Sequence, residues 1–164
     1  ARVQEELAKV KFTGKTTELE NLHLTLKYLG EIEEEKLNEV RERLKKIEFN
    51  EMDLSLGEIG VFNYKGKPKI VWIKVHGKPI WDLQKKIDEV LKDIFKEEER
   101  FMSHLTIARL KYTRDKKWFI KHAENMGIKD IKFKIREFSL KSSELKPLGP
   151  IYRDIEKYAL KNQS

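Results

Sequence analysis

The triplet His-Leu-Thr occurs twice in this chain, as His23-Leu24-Thr25 and as His104-Leu105-Thr106, each time followed by a branched apolar residue, Leu26 or Ile107. Both copies sit in stretches that alternate apolar and polar residues. In NLHLTLKYLG, from Asn21 to Gly30, Leu22, Leu24, Leu26 and Tyr28 fall on one face and His23, Thr25 and Lys27 on the other. FMSHLTIARL, from Phe101 to Leu110, puts His104, Thr106 and Ala108 on one face in the same way. A period of two predicts half-buried strands. Residues two apart on a strand point the same way, so each copy sets an imidazole beside a hydroxyl while the intervening apolar residues anchor the strand. With six Thr and 18 Leu in the chain, random placement gives two such triplets with odds on the order of 1 in 10,000, which makes coincidence a weak explanation.

The remaining patterns alternate between helix and strand. Apolar residues at helical spacing predict helices from Val3 to Val10, from Glu33 to Ile47 through Leu37, Val40 and Leu44, and from Pro79 onward, with Trp81, Ile87, Val90, Leu91, Ile94 and Phe95 as the buried stripe. A fourth helix is expected from Asp115 to Met126. Strands are expected at Met52–Phe62, Ile70–Val75, Ile131–Leu140 and Ile151–Leu160, with a basic turn, NYKGKPK, after the first and a loop holding Pro147, Gly149 and Pro150 before the last. Mixed strands and helices without a glycine-rich phosphate loop predict an α+β fold, not a doubly wound nucleotide-binding sheet.

Composition narrows the chemistry. The 164 residues suit one domain. No cysteine is present, which excludes disulfides, thiolate zinc sites and cysteine nucleophiles. No long uncharged apolar run is present, so no membrane span is expected, and the cytoplasm is the expected location. The opening on Ala1 reads as a start part-way into a longer chain. A net charge of +7 favours an anionic partner, with nucleic acid or nucleotide first, although a surface that is 38% Asp, Glu, Lys and Arg overall also fits the ion-pair networks of thermophile proteins.

Two histidines, each beside a threonine, suit a tetrahedral phosphate attacked from one side and departed from the other. Opening a 2′,3′-cyclic phosphate needs a base to activate water and an acid to protonate the leaving sugar oxygen, and imidazole does either near neutral pH. Threonine hydroxyls supply donors to the non-bridging oxygens. The scheme needs no metal and no cofactor.

ENLHLTLKYLGEI, GVF followed by IVWIKV, SHLTIARLK and the late SSELKPLGPIY occur here in one order. In these segments, from about Leu19 to Tyr158, the sequence resembles the 2H phosphoesterases, in particular the archaeal and bacterial RNA 2′,3′-cyclic phosphodiesterases also called 2′-5′ RNA ligases. The resemblance implies that His23 and His104 are catalytic, with the C-terminal histidine usually taken as base for hydrolysis, and that Thr25 and Thr106 bind phosphate. It implies one domain over residues 1–164, bilobed, with two pseudo-symmetric halves built around the two repeats, antiparallel sheets lining a central cleft and helices outside. The short apolar strand with which members usually open is not in this sequence. The implied partner is RNA carrying a 2′,3′-cyclic phosphate or a 2′-5′ linkage, such as a tRNA fragment, with a nucleotide as a further ligand and a monomer as the expected state.

Arg109 follows the second motif and is a further phosphate-binding candidate by resemblance, although strict alternation puts it on the face opposite His104. Tyr152, Phe62 and Tyr64 are candidates for stacking on a base, with core packing the plainer reading of Phe62. Lys65, Lys67 and Lys69 could meet an RNA backbone or simply be solvated. His76 and His122 lack a threonine two residues on and read as structural or surface residues. Two rival functions remain open at this stage: a catalytically silent RNA-end-binding protein, and a phosphodiesterase of small cyclic phosphates such as a cyclic nucleotide or ADP-ribose cyclic phosphate.

Overall fold

The computed structural model describes Gln4, residues 12–126 and residues 131–162. The helix expected at Val3–Val10 lies, but for Gln4, outside the described residues. The α+β reading holds: α-helices accompany an antiparallel sheet. Strands β1 (Phe12–Thr16), β2 (Met52–Tyr64), β3 (Lys67–His76), β4 (His104–Thr113) and β5 (Lys132–Ile135) form a five-stranded sheet of order β1-β4-β3-β2-β5. Strands β6 (Glu137–Lys146) and β7 (Gly149–Ala159) form a second, two-stranded sheet. Helices α1 (Glu34–Lys45), α2 (Lys78–Leu91) and α3 (Lys116–Glu124) lie where the helical spacing placed them.

The chain divides into two compact units, each assembled from three segments. The first comprises residues 1–25, 55–76 and 102–132, and the second residues 26–54, 77–101 and 133–164. In the first, β2 and β3 are joined by a two-residue turn in which Lys65 and Gly66 both have positive φ, 49° and 69°. That is the turn whose twist matches an antiparallel hairpin, and glycine supplies it without strain. Helix α3, capped by Asp115 through a 3.0 Å bond from the Trp118 N–H, lays Phe119 and Ala123 on Val71, Ile73, Ile107 and Ala108 to close the core.

The second unit packs α1 and α2 with the β6–β7 hairpin. Arg43 of α1 donates to the Val90 carbonyl at 3.0 Å, and Arg41 pairs with Glu156 of β7 at 3.0 Å. Burial, and then the Glu156 carboxylate that accepts its hydroxyl proton, push the Tyr158 phenol above its ordinary range. Two expectations are corrected here. Trp81 is not part of the buried stripe of α2: it is 41% exposed and packs edge-on against Phe101, while Leu83 takes the core position. The single strand expected at Ile131–Leu140 is broken at Arg136 into β5 and β6, which belong to different sheets.

The buried stripe of α2 also carries Gln84 and Asp88, one turn apart. Asp88 accepts from the Lys27 ammonium, from Gln84 at 2.7 Å and from the Glu98 N–H at 3.0 Å. Lys27 also donates to the Lys96 carbonyl at 2.6 Å. Burial disfavours the charged carboxylate, but these donors outweigh it and hold Asp88 below its usual range. Lys27 is therefore an inward residue and Tyr28, 80% exposed, an outward one. This reverses the alternation expected beyond Leu26, because a buried carboxylate on α2 draws the ammonium in.

Candidate active site

His104 opens β4, and the register of β4 on β3 decides what shares its face. Lys74 pairs with His104, Ile73 with Leu105 and Trp72 with Thr106, after which Val71 pairs with Ala108, so Ile107 is an extra residue. It forms a β-bulge. Cross-strand partners share a face, and beyond the bulge the alternation of β4 is shifted by one. Arg109, paired with Ile70, consequently lies on the same face as His104 and Thr106, and Ala108 on the opposite one, where it is fully buried. Both placements correct the strict-alternation reading. The strand itself begins at His104, not at Phe101.

Aromatic rings flank the His104 imidazole. Phe62 of β2 meets it edge-on at 5.6 Å and Trp72 of β3 at 6.3 Å, while Phe62 and Trp72 lie 5.3 Å apart. Gly60, opposite Trp72 in the ladder, makes this packing feasible, because a Cβ there would come within 2.1 Å of the indole Cζ2. The Trp72 indole N–H and the Ser103 hydroxyl, directly before His104, are buried without hydrogen-bond partners among the described residues. Trp72 was not among the residues singled out from sequence. The signal available was Gly60 inside a strand pattern, which marks close approach of a neighbour. Gly60→Ala is expected to cost about 1–3 kcal/mol through overpacking and, by displacing Trp72 against His104, to lower turnover on the order of tenfold or more. Denaturant melts and initial rates on the same preparation check it.

His23 reaches its position differently. Its segment is not a strand, which corrects the expectation for Asn21–Gly30: the backbone from Leu22 to Gly30 joins no ladder. Instead the Thr17 N–H donates to the Ile107 carbonyl at 2.9 Å, a 3-10 turn follows at Leu19–Asn21, and Leu22 packs on the core beneath β4. The alternating pattern records one residue in and one out, which an unpaired extended segment shares with a strand.

The two histidines have one feature in common that the sequence does not display. His23 Nδ1 lies 2.7 Å from the Asn21 carbonyl oxygen, and His104 Nδ1 lies 2.7 Å from the Met102 carbonyl oxygen. A carbonyl only accepts, so in each ring Nδ1 carries the hydrogen and donates it. Nε2 is then the nitrogen that takes up or releases a proton. The orienting acceptor is two residues upstream in both copies, so each motif fixes its own imidazole.

Five of the sequence candidates, His23, Thr25, His104, Thr106 and Arg109, belong to the first unit, whereas Tyr152 belongs to the second, on β7 opposite Ser143. Phe62 packs against His104, as described above. Lys65, in the hairpin turn, and Lys67, which opens β3, are solvent-exposed. His76, at the end of β3, meets Glu58 at 3.0 Å through Nε2, and His122 stacks on Trp118.

The sequence model of the LigT-like phosphoesterases matches residues 1–72 and 75–152. This chain belongs to that family. Among its relatives in the family, the RNA 2′,3′-cyclic phosphodiesterase of Archaeoglobus fulgidus is 37% identical over 86% of this chain and 81% of its own length. The enzyme of the same name from Methanocaldococcus jannaschii is 34% identical over 95% of this chain and 93% of its own. A crystal structure from Thermus thermophilus superposes with a TM-score of 0.78 at 24% identity, covering 99% of this chain and 90% of that one. Escherichia coli LigT in complex with 3′-AMP gives 0.71 at 21% identity, over 97% and 91%. The fold of this LigT-like phosphoesterase is thus shared with both solved structures.

Proposed function

We propose that this phosphoesterase hydrolyses the 2′,3′-cyclic phosphate at the end of an RNA strand and leaves a 2′-phosphate. The observation that carries this reading is the duplicated geometry: two imidazoles, each with Nδ1 tied to the carbonyl two residues before it and each with a threonine two residues after it. The names carried by the relatives support the substrate. In the forward reaction the Nε2 lone pair of one histidine takes a proton from water. The water oxygen forms its bond to phosphorus while the bond from phosphorus to O3′ breaks, and the Nε2–H of the other histidine gives its proton to O3′. The two rings end with exchanged protonation. His104 as base and His23 as acid is the assignment adopted for hydrolysis; the same forward step with the 5′-hydroxyl of a second RNA strand in place of water joins a 2′-5′ linkage as the bond from phosphorus to O3′ breaks, and its reverse cleaves that linkage.

Thr25 and Thr106 donate to the non-bridging oxygens as charge develops there. Arg109, on the His104 face of β4, adds a fixed positive charge that a phosphate attracts. The test is turnover of an oligoribonucleotide ending in a 2′,3′-cyclic phosphate, with EDTA present. A 2′-phosphate product and a bell-shaped pH profile are expected. Retention of the intact cyclic end by protein that binds the RNA would instead establish a silent end-binding protein.

A further inference from the structure

Helix α3 carries an outward surface that the proposed reaction does not use. Its inner stripe, Phe119 and Ala123, seats the helix on Val71, Ile73, Ile107 and Ala108, which is the sheet face opposite to that of His104. On the outside, Trp118 and His122 stand one turn apart with their rings stacked, 4.8 Å between centroids and 11° between planes. Trp118 is 53% exposed. Lys117 and Lys121, also one turn apart, form the adjacent row, since residues four apart on a helix are neighbours. Several lysines and arginines on other elements are paired, as Lys45 is with Glu42, Arg41 with Glu156 and Lys157 with Glu137. Among the described residues, Arg114, Lys116, Lys117 and Lys121 have no carboxylate within ion-pair distance, and α3 contains one acid, Glu124.

We propose that this face of α3 is a second RNA contact, which holds a single strand some nucleotides away from the reacting end. The proposal rests on the RNA-end reading above and adds to it. A flat aromatic pair offers a stacking surface to any base, and the adjacent lysine row neutralises phosphates, which is the combination that binds single strands without sequence preference. Because a helix about 10 Å across and the sheet beneath it lie between this face and His104, a mononucleotide reaches one contact only. A longer strand that passes the sheet edge reaches both.

Wild type is compared with Trp118→Ala and with the double variant Lys117→Glu/Lys121→Glu, on a nucleoside 2′,3′-cyclic phosphate and on a long oligoribonucleotide with the same end. Both sets of substitutions are at the surface, and matching thermal melts confirm the fold. The expected result is unchanged kcat/KM on the mononucleotide, with KM on the oligonucleotide raised about tenfold or more at unchanged kcat and, for the double variant, a shallower salt dependence. Equal effects on both substrates, or none on the oligonucleotide, would overturn the proposal. Should wild type turn over neither substrate, the functional reading alone fails. An unreactive oligoribonucleotide with a 3′-hydroxyl then decides: fluorescence quenching that disappears in Trp118→Phe supports the contact, and lack of binding overturns it. Displacement of that oligonucleotide by polyglutamate at equal charge would overturn it in favour of an acidic polypeptide.

Discussion

His23→Ala and His104→Ala are each expected to lower turnover of a cyclic-phosphate end by about 10²- to 10⁴-fold with the fold intact, the range for one positioned acid or base. Both rings are partly exposed, so truncation leaves no sealed core cavity, and melting temperatures should barely move. The double variant is the sharper measurement. Two groups that pass one proton in and another out act as a unit, so removing both is expected to cost about as much as removing one, far less than the product of the two losses. Full multiplicativity would mean that the rings act in separate steps. Initial rates for the four proteins, wild type included, decide between the two.

Lys27→Met is expected to destabilise the chain by about 3–5 kcal/mol, because it leaves the buried Asp88 carboxylate without its cation. In a chain of this length each kcal/mol moves the melting temperature by about 2–4 °C, so a fall on the order of 10 °C is the expected reading. Adding Asp88→Asn should recover much of it, since the amide oxygen still accepts from the Glu98 N–H and no charge is left buried. The pH dependence follows from the same contact. Folding lowers the Asp88 pKa, so the folded chain holds this proton less readily than the unfolded one. The stabilisation is complete above the ordinary value of 3.8 and is lost as pH falls through the lowered folded value. Wild type should therefore lose stability over that acid window more steeply than the double variant, in which the group is absent. Thermal melts from neutral pH downward provide the comparison.

Much of the first unit was legible in the sequence, for reasons that differ from element to element. Helix α3 and the β2–β3 hairpin follow from signals within a few residues: Asp115 as cap, spacing at Phe119 and Ala123, and Gly66 in the turn. Period two at His104 and Thr106 correctly put both on one face because β4 is regular up to that point. It failed at Ala108 and Arg109 because a bulge depends on how two strands register, and register is a property of β3 and β4 jointly. The Asn21–Gly30 segment failed for a related reason, since alternation reports burial and not pairing. Beyond Leu26 even the burial was governed by a carboxylate far along the chain, Asp88. Trp72 escaped notice because its role comes from what Gly60 lacks.

The acceptors that hold the two imidazoles belong to the main chain. Asn21 and Met102, which supply them, share no side-chain chemistry, and none is required. Substitution at either position can alter packing but cannot delete the oxygen, so the orienting half of each motif is shielded from point mutation in a way that a carboxylate orienter is not. Proline apart, side-chain drift there should be close to silent. A peptide carbonyl is also neutral: it aims the ring without the electrostatic bias toward imidazolium that an aspartate partner imposes. Each ring is aimed by an acceptor that lies two residues before it, so this part of the geometry is built as soon as the local backbone is in place.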